Sequence, residues 1–236
     1  GGGRAAVGEA GVRCYTAQRL TPDFSHLARR QGTLWADEKK GRMQVARRMY
    51  ALRLGEVLPH RDIAVLRGIE GARVKETYRL VAERIGVAWR GRRYDPAEPT
   101  PAAPPHPALN HVASAVEGAA AIAVAATATI PQLGFIHEDS GQSFVLDVAD
   151  LFRDDVTVPT AFRAAKAARA DPRLAIERLA RRMAGEALRK RGVIAAMIDR
   201  IKTLFEDEAR ADAAPPRPRA GQAETPARGA APAGRA

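Results

Sequence analysis

Residues 134–150, with the sequence GFIHEDSGQSFVLDVAD, carry the side chains that are best suited to chemistry. Asp147 and Asp150 are three residues apart, so in the first turn of a helix their carboxylates would share one face. The positive end of the helix dipole favours carboxylates at that position. Two close carboxylates repel each other unless a proton or a cation lies between them, and the imidazole of His137 makes a divalent metal the fitting cation.

The elements that must position these side chains are predicted to be a short β-hairpin and the helix that follows it. Residues 133–136 and 144–146 are apolar and flank a polar turn at 138–142, which favours two strands around a turn. His137 would then lie at a strand end and the two aspartates at a strand-to-helix junction. Two ordinary alternatives stay open, because Asp commonly caps a helix and a lone His is usually solvated.

Glu70 is the fourth candidate, and it lies between two glycines in a segment with helical periodicity. Gly68 and Gly71 bracket the glutamate, and apolar Ile69 precedes it. Glycine inside a helix is unfavourable, so this pair predicts close approach of another backbone or a kink. We therefore consider Glu70 a candidate buried ligand, with an ordinary surface glutamate as the alternative.

Basic residues occur beside aromatic ones in residues 89–96, WRGRRYDP. Aromatic stacking combined with phosphate pairing is how flexible or single-stranded DNA is bound, which makes Arg92, Arg93 and Tyr94 candidate DNA contacts. The alternative is a basic loop whose aromatic residues anchor it to the core. A second candidate set is clustered on a helix predicted at 172–191, and its members are Arg178, Arg181 and Arg182.

The composition is strongly basic, with 38 Lys and Arg against 27 Asp and Glu, a formal net charge of +11 and a pI near 10.6. This surplus indicates a polyanionic partner such as nucleic acid, although an arginine-rich genome would also produce it. The single cysteine, Cys14, excludes an intramolecular disulfide and favours a reducing compartment. There is no signal pattern, and the apolar run at 118–130 is too short for a bilayer, so we expect a soluble cytoplasmic protein with no membrane partner.

The fold class is predicted to be mainly α. Residues 1–20 read as a strand–turn–strand remnant of an N-terminal β domain, and residues 21–208 as an α-helical catalytic domain that contains the short hairpin. An Ala-rich helix at 107–130 is apolar nearly all round and should be buried. Residues 95–107 are predicted to be an extended linker, and residues 209–236 a disordered tail rich in Pro, Ala and Arg.

Several motifs, in this order and spacing, resemble those of the CRISPR-associated endonuclease and integrase subunit of spacer acquisition, most closely in subtype I-E. They are LRGIEG at 66–71, WRGRRYDP at 89–96, GFIH at 134–137 and SFVLDVAD at 143–150, and the segments at 7–13 and 47–55 also match. The resemblance extends from about residue 7 to about residue 205. This chain departs from the subtype at Glu138, Asp139 and Ser140, where a basic residue is usual, and at Leu146, where Tyr is usual.

The resemblance implies an N-terminal β domain and a helical catalytic domain whose metal ligands fall on Glu70, His137 and Asp150. A further functional aspartate falls on Asp147, and the metal would be Mg²⁺ or Mn²⁺. It also implies a homodimer, a small ferredoxin-like partner protein, a DNA duplex with splayed ends, and insertion of that duplex into CRISPR repeat DNA. In this reaction a 3′-hydroxyl attacks a phosphodiester by transesterification. The alternative function is a non-catalytic helical DNA-binding or scaffolding fragment.

Overall fold

The structure, a computed structural model, describes residues 6–7, 12–13, 22–56, 59, 62–89, 91, 105–171 and 173–205. All of these residues belong to one compact unit, Gly1–Phe205. The predicted tail at 209–236, most of the predicted linker, and the candidate DNA contacts Arg92, Arg93 and Tyr94 lie outside the described residues. The last three residues assigned to the linker, 105–107, are instead the first turn of a helix.

The described part of the chain is mainly helical, as predicted. Two short strands come first, and Ala6–Val7 (β1) pairs with Val12–Arg13 (β2) in antiparallel register, as the predicted strand–turn–strand requires. Eight α-helices follow within the described ranges. Their bounds are α1 Pro22–Ala36, α2 Gly41–Leu54, α3 Ile63–Ile85, α4 Pro105–Ala126, α5 Ser143–Asp150, α6 Val158–Ala170, α7 Ile176–Lys190 and α8 Val193–Phe205.

Local sequence signals account for several helix ends. The Asp62 carboxylate accepts hydrogen bonds from the backbone N–H groups of Ala64 and Val65 and so caps the start of α3. Helices α2 and α3 end at Gly55 and Gly86, both in the left-handed conformation that glycine adopts without strain. The close backbone approach expected at Gly68 and Gly71 is not found, because a Cβ at either position would meet no described atom within 4 Å.

Helix α4 is the central helix of the core. It packs against α5, α6, α7 and α8, as its apolar sequence predicts, and its buried residues recur at helical spacing along one broad face. By length and composition alone α4 could also cross a membrane. Its packing against four neighbouring helices is that of a core helix, however. This packing also holds α5, the helix that carries Asp147 and Asp150, in place.

The predicted β-hairpin at 133–146 was wrong. Residues 133–142 are irregular, and residues 143–150 form α5 rather than a strand. Phe144, Val145, Val148 and Ala149 are all buried in α5, and their spacing fits one face of a helix. A short apolar run cannot be assigned to strand or helix by periodicity alone, which explains the error.

The irregular segment that leads into α5 is fixed from one side by α1. The side-chain amide of Gln31, which is fully buried, donates to the carbonyl oxygens of Ile130 and Leu133 and accepts from the N–H of Ile130. The Trp35 indole N–H donates to the Gly134 carbonyl at 3.0 Å. These bonds use the polar groups that an irregular buried backbone would otherwise leave unpaired.

Candidate active site

The candidate site is a cavity of about 560 Å³ formed by α2, α3, α5 and residues 136–140. All four acidic and histidine residues that the sequence singled out line this cavity: Glu70, His137, Asp147 and Asp150. Glu70 comes from α3, whereas the other three come from the irregular segment and the adjoining α5, so the fold brings two distant parts of the chain to one place. The structure thereby supports their common location, while their chemical roles stay predictions.

Asp147 organises the segment that carries His137. This residue is 1% exposed. The carboxylate accepts hydrogen bonds from three successive backbone N–H groups, those of Phe135 at 2.6 Å, Ile136 at 3.2 Å and His137 at 3.0 Å. The Asp147 carboxylate therefore fixes both the path of the backbone and the place of the imidazole.

The same carboxylate also holds the His137 ring. Nδ1 of His137 lies 2.8 Å from Oδ1 of Asp147, which leaves Nε2 as the ring nitrogen that Asp147 does not engage. The hydrogen bond to Asp147 raises the pKa of His137 above its usual value, against the opposing effect of burial, and the charge of Asp150 adds to the rise. A histidine with one nitrogen on a carboxylate and the other directed elsewhere is the usual arrangement of a metal-ligating histidine.

Glu70 and Asp150 face the same guanidinium group. Nη1 of Arg53 contacts Oε1 of Glu70 and lies 3.8 Å from Oδ2 of Asp150. Arg153 also donates to Asp150 from three residues further along the chain. The prediction that a helix N-terminus stabilises Asp150 was wrong, because Asp150 is the last residue of α5. Two arginines supply the positive charge instead.

Asp154 is a further carboxylate that the sequence reasoning missed. It lies in a π-helix at Arg153–Thr157, and its Oδ2 is 3.5 Å from Nε of Arg53. Burial raises the pKa of Asp154, and Arg53 opposes that rise. The available signal was its position four residues after Asp150, which places both carboxylates on one side of a helical segment.

The cavity is lined by carboxylates and one imidazole, which are ligand types that suit a hard divalent cation. Within the part of the chain that the structure describes, no three of these side chains converge closely enough to hold a metal ion as they stand. The Arg53 guanidinium lies between two of the carboxylates and shows that a cation is accommodated there. The assignment of Glu70, His137 and Asp150 as the metal ligands stays a prediction.

The acidic residues after His137 also reach the cavity. Glu138 pairs with Arg42 of α2 at 2.7 Å, and the Arg42 guanidinium lies 5.4 Å from the centroid of the Trp35 ring. Glu138, where a basic residue is usual in the family, therefore forms an ion pair that joins α2 to the segment that carries His137.

The predicted DNA contacts stay predictions, and Arg92, Arg93 and Tyr94 lie outside the described residues. Arg178, Arg181 and Arg182 are all exposed on α7, where a phosphate could reach them. Trp89 packs against Tyr78, Phe162 and His106, with ring centroids 5.2–5.3 Å apart. This aromatic residue therefore anchors its segment to the core, which was the alternative interpretation of the basic and aromatic run.

Comparison with known proteins identifies the family, although no family model matches the chain. The chain is 36% identical over 200 residues to the CRISPR-associated endonuclease Cas1 of Geobacter sulfurreducens, covering 84% of this chain and 64% of that protein. It is 40% identical over 161 residues to the Escherichia coli Cas1 endonuclease, covering 68% of this chain and 52% of that protein. Its fold matches the crystal structure of a TtCas1–DNA complex with a TM-score of 0.69 and 35% identity, covering 83% of this chain and 68% of that one.

The chain belongs to the Cas1 family of CRISPR-associated endonucleases. It spans between about half and two thirds of the length of the curated relatives described above. The mainly helical fold agrees with the solved structure.

Proposed function

We propose that this Cas1-family chain is a metal-dependent DNA endonuclease and integrase that inserts short DNA segments into a CRISPR repeat array. The observation that carries the proposal is the convergence of Glu70, His137 and Asp150 on one cavity, with His137 held by the buried Asp147. Family membership supports nuclease chemistry, and a relative that crystallised as a DNA complex supports DNA as the substrate. The net charge of +11 favours a polyanion.

A bound Mg²⁺ or Mn²⁺ would polarise the phosphoryl oxygens and lower the pKa of the attacking hydroxyl. The side chains of the protein would position the metal and the His137 ring. Glu70 and Asp150 would supply hard oxygen ligands, and Asp147 would hold the His137 ring so that Nε2 faces the cavity. His137 is the candidate either for a ligand or for the group that accepts the proton of the hydroxyl.

In the proposed transesterification, a DNA 3′-hydroxyl oxygen forms a bond to a phosphorus atom of the repeat. The existing phosphorus–oxygen bond to the neighbouring sugar breaks, and the leaving sugar oxygen takes up a proton from solvent to become a free hydroxyl. The proton released by the attacking hydroxyl goes to a base or to solvent. Water can replace the 3′-hydroxyl in the same geometry, so one site would support both joining and cleavage. Arg153, which lines the cavity and contacts Asp150, is placed to pair with a phosphate oxygen.

The assembly is also a proposal and rests on the motif resemblance. We infer subtype I-E, a homodimer, a small ferredoxin-like partner protein, and a double-stranded DNA substrate with splayed ends that is inserted beside the repeat. We place this activity in the cytoplasm of a prokaryotic cell.

The test is to replace Glu70, His137 and Asp150 singly with Ala. Each variant should lose more than about 100-fold in DNA cleavage and in joining of a 3′-hydroxyl duplex to a repeat-bearing target, because loss of a ligand should exceed the loss of an outer partner. Glu83→Ala, an exposed change on the same helix as Glu70, is the matched control and should keep full activity. Full activity in any of the three site variants, with the fold intact by circular dichroism, would contradict the proposal.

The alternative, a non-catalytic DNA-binding or scaffolding protein, is favoured by one observation, the arginine between Glu70 and Asp150. Titration of Mn²⁺ against Tm separates the two functions. A metal site formed in the native state raises Tm as the metal concentration increases, and a vestigial site leaves it unchanged.

A further inference from the structure

Arg53 is a buried cation surrounded by three carboxylates. Its side chain is only 5% exposed. Nη1 contacts Glu70 and lies 3.8 Å from Asp150, while Nε lies 3.5 Å from Asp154. Its position in the last turn of α2 places the guanidinium against side chains of α3, of α5 and of the π-helix at once.

The Arg53 guanidinium is buried, but not all of its N–H groups have a hydrogen-bond partner among the described residues. Nη2 of Arg53 is inaccessible to solvent and has no hydrogen-bond partner among the described residues, and the same holds for Oδ1 of Asp154. The Asp150 and Asp154 oxygens lie at ion-pair rather than hydrogen-bond distance from Arg53. A buried polar group without a partner is unfavourable, so a second arrangement that pairs these charges more completely would be more stable.

The three carboxylates differ in what else holds them. Arg153 donates to Asp150, and Asp150 and Glu70 are the proposed metal ligands. Asp154 is not part of the proposed ligand set, and its close cationic partner among the described residues is Arg53. Arg53 therefore has a carboxylate to pair with even when Glu70 and Asp150 are engaged by another cation.

We propose that Arg53 is an exchangeable counter-ion of the metal site. Without metal it lies between Glu70 and Asp150 and keeps the two carboxylates together. When a divalent cation binds, Arg53 releases both carboxylates and pairs with Asp154, which keeps the guanidinium in the site. The inference rests on the proposed function, because it requires the metal to bind at Glu70 and Asp150.

Two opposite effects on metal affinity follow. Replacing Arg53 with Gln removes the competitor, so Mn²⁺ should bind more tightly. Replacing Asp154 with Asn removes the second partner of Arg53, so the guanidinium should stay on Glu70 and Asp150, and Mn²⁺ should bind more weakly. We expect changes of about tenfold in each direction, within the usual span of coupling between two binding events.

The experiment measures Mn²⁺ affinity of the full chain by calorimetry and by the electron paramagnetic resonance signal of free Mn²⁺. The variants are Arg53→Gln, Arg53→Lys, Asp154→Asn and the double variant Arg53→Gln with Asp154→Asn. Asp155→Asn is the matched control, since it removes the same charge from the next residue, which is exposed. Arg53→Lys keeps the charge but lacks the fork that contacts three carboxylates, and it covers the case in which Arg53→Gln fails to fold.

The double variant separates exchange from a simple change in local charge. If Asp154 acts through Arg53, Asp154→Asn should have no effect on Mn²⁺ affinity once Arg53 is Gln, whereas independent charge effects would add. Arg53→Gln should also lower Tm without metal, because Glu70, Asp150 and Asp154 then repel one another. Additive effects, or an Asp155→Asn effect as large as that of Asp154→Asn, would overturn the proposal.

Two further variants distinguish failure of this inference from failure of the proposed function. Glu70→Gln and Asp150→Asn should each abolish Mn²⁺ binding. If they do, but the Arg53 and Asp154 variants bind like the unmodified chain, only the exchange is wrong. If Mn²⁺ binding does not depend on Glu70 and Asp150, or occurs in none of the proteins, the metal site of the proposed function is wrong and the exchange is wrong with it.

Discussion

At the scale of single residues, Asp147 determines the geometry of the candidate site. The carboxylate is buried, and both of its oxygens are used, by three backbone N–H groups and by the His137 ring. Asp147 thus has all of these hydrogen-bond partners within the protein itself. Its function in this structure is therefore to position His137 rather than to bind a cation itself.

We predict that Asp147→Asn destabilises the protein by about 1–3 kcal/mol, because the new amide nitrogen is a donor and would leave a buried N–H group unpaired. The change should also lower the pKa of His137 in metal-free protein, since it removes the hydrogen bond and the charge that raise this pKa. Urea unfolding measures the first effect, and the NMR titration of the His137 ring protons measures the second.

The sign of the accompanying pH dependence follows from the raised pKa. The His137–Asp147 pair contributes its full stability below the pKa of unfolded histidine, about 6.5, and loses it as the pH rises through the raised pKa of the folded protein. The stability difference between the unmodified chain and Asp147→Asn should therefore be larger at a pH of about 5.5 than at about 9. Asp139→Asn, an exposed neighbour, is the control, and an equal response from it would contradict the special role of Asp147.

At the scale of elements, the segment that carries His137 folds tightly against the start of α5. A Cβ on Gly134 would clash with the His137 carbonyl oxygen and would lie only 2.6 Å from the Ser143 Cβ. Phe135 and Phe144 pack edge to face at 6.1 Å, and Phe205 of α8 contacts both rings. The glycine permits the close approach, and the aromatic cluster stabilises it.

Gly134→Ala should therefore destabilise the protein by about 1–3 kcal/mol, the usual effect of overpacking a dense region. It should also shift the His137 resonances, because the clash involves the His137 carbonyl. Gly141→Ala is the matched control in the same segment, since its Cβ would meet nothing within 4 Å and its φ is not positive. The control should be neutral or slightly stabilising, and equal Tm values for the two variants would show that the close contact does not constrain the segment.

At the scale of the whole molecule, the sequence predicts the helices better than the contacts between them. Asp62, Gly55 and Gly86 give local signals for helix ends, and the structure uses all three. The start of the helix at 143–150 was mistaken for a strand, because the periodicity of so short an apolar segment does not distinguish a strand from a helix. The contact of Arg53 with Glu70 depends on how α2 packs on α3, and no local pattern in either helix specifies that packing.

The net charge of +11 is also a property of the whole molecule, and it leads to a prediction about DNA binding. Each arginine that pairs with a phosphate releases counter-ions from DNA, so log Kobs falls more steeply with log salt concentration. If α7 faces the DNA, replacing Arg178, Arg181 and Arg182 with Gln should reduce the slope by about 1 for each arginine–phosphate pair that the change removes. Fluorescence anisotropy with a labelled duplex over a series of salt concentrations measures the slope.

The matched control removes the same net charge from arginines that are already paired. Arg73, Arg79 and Arg173 form ion pairs with Glu56, with Glu76 and Glu83, and with Asp171. Their replacement by Gln should change the slope little, because those guanidinium groups are partly neutralised before DNA arrives. An equal reduction of the slope in both triple variants would mean that net charge alone attracts DNA and that α7 is not the contact surface.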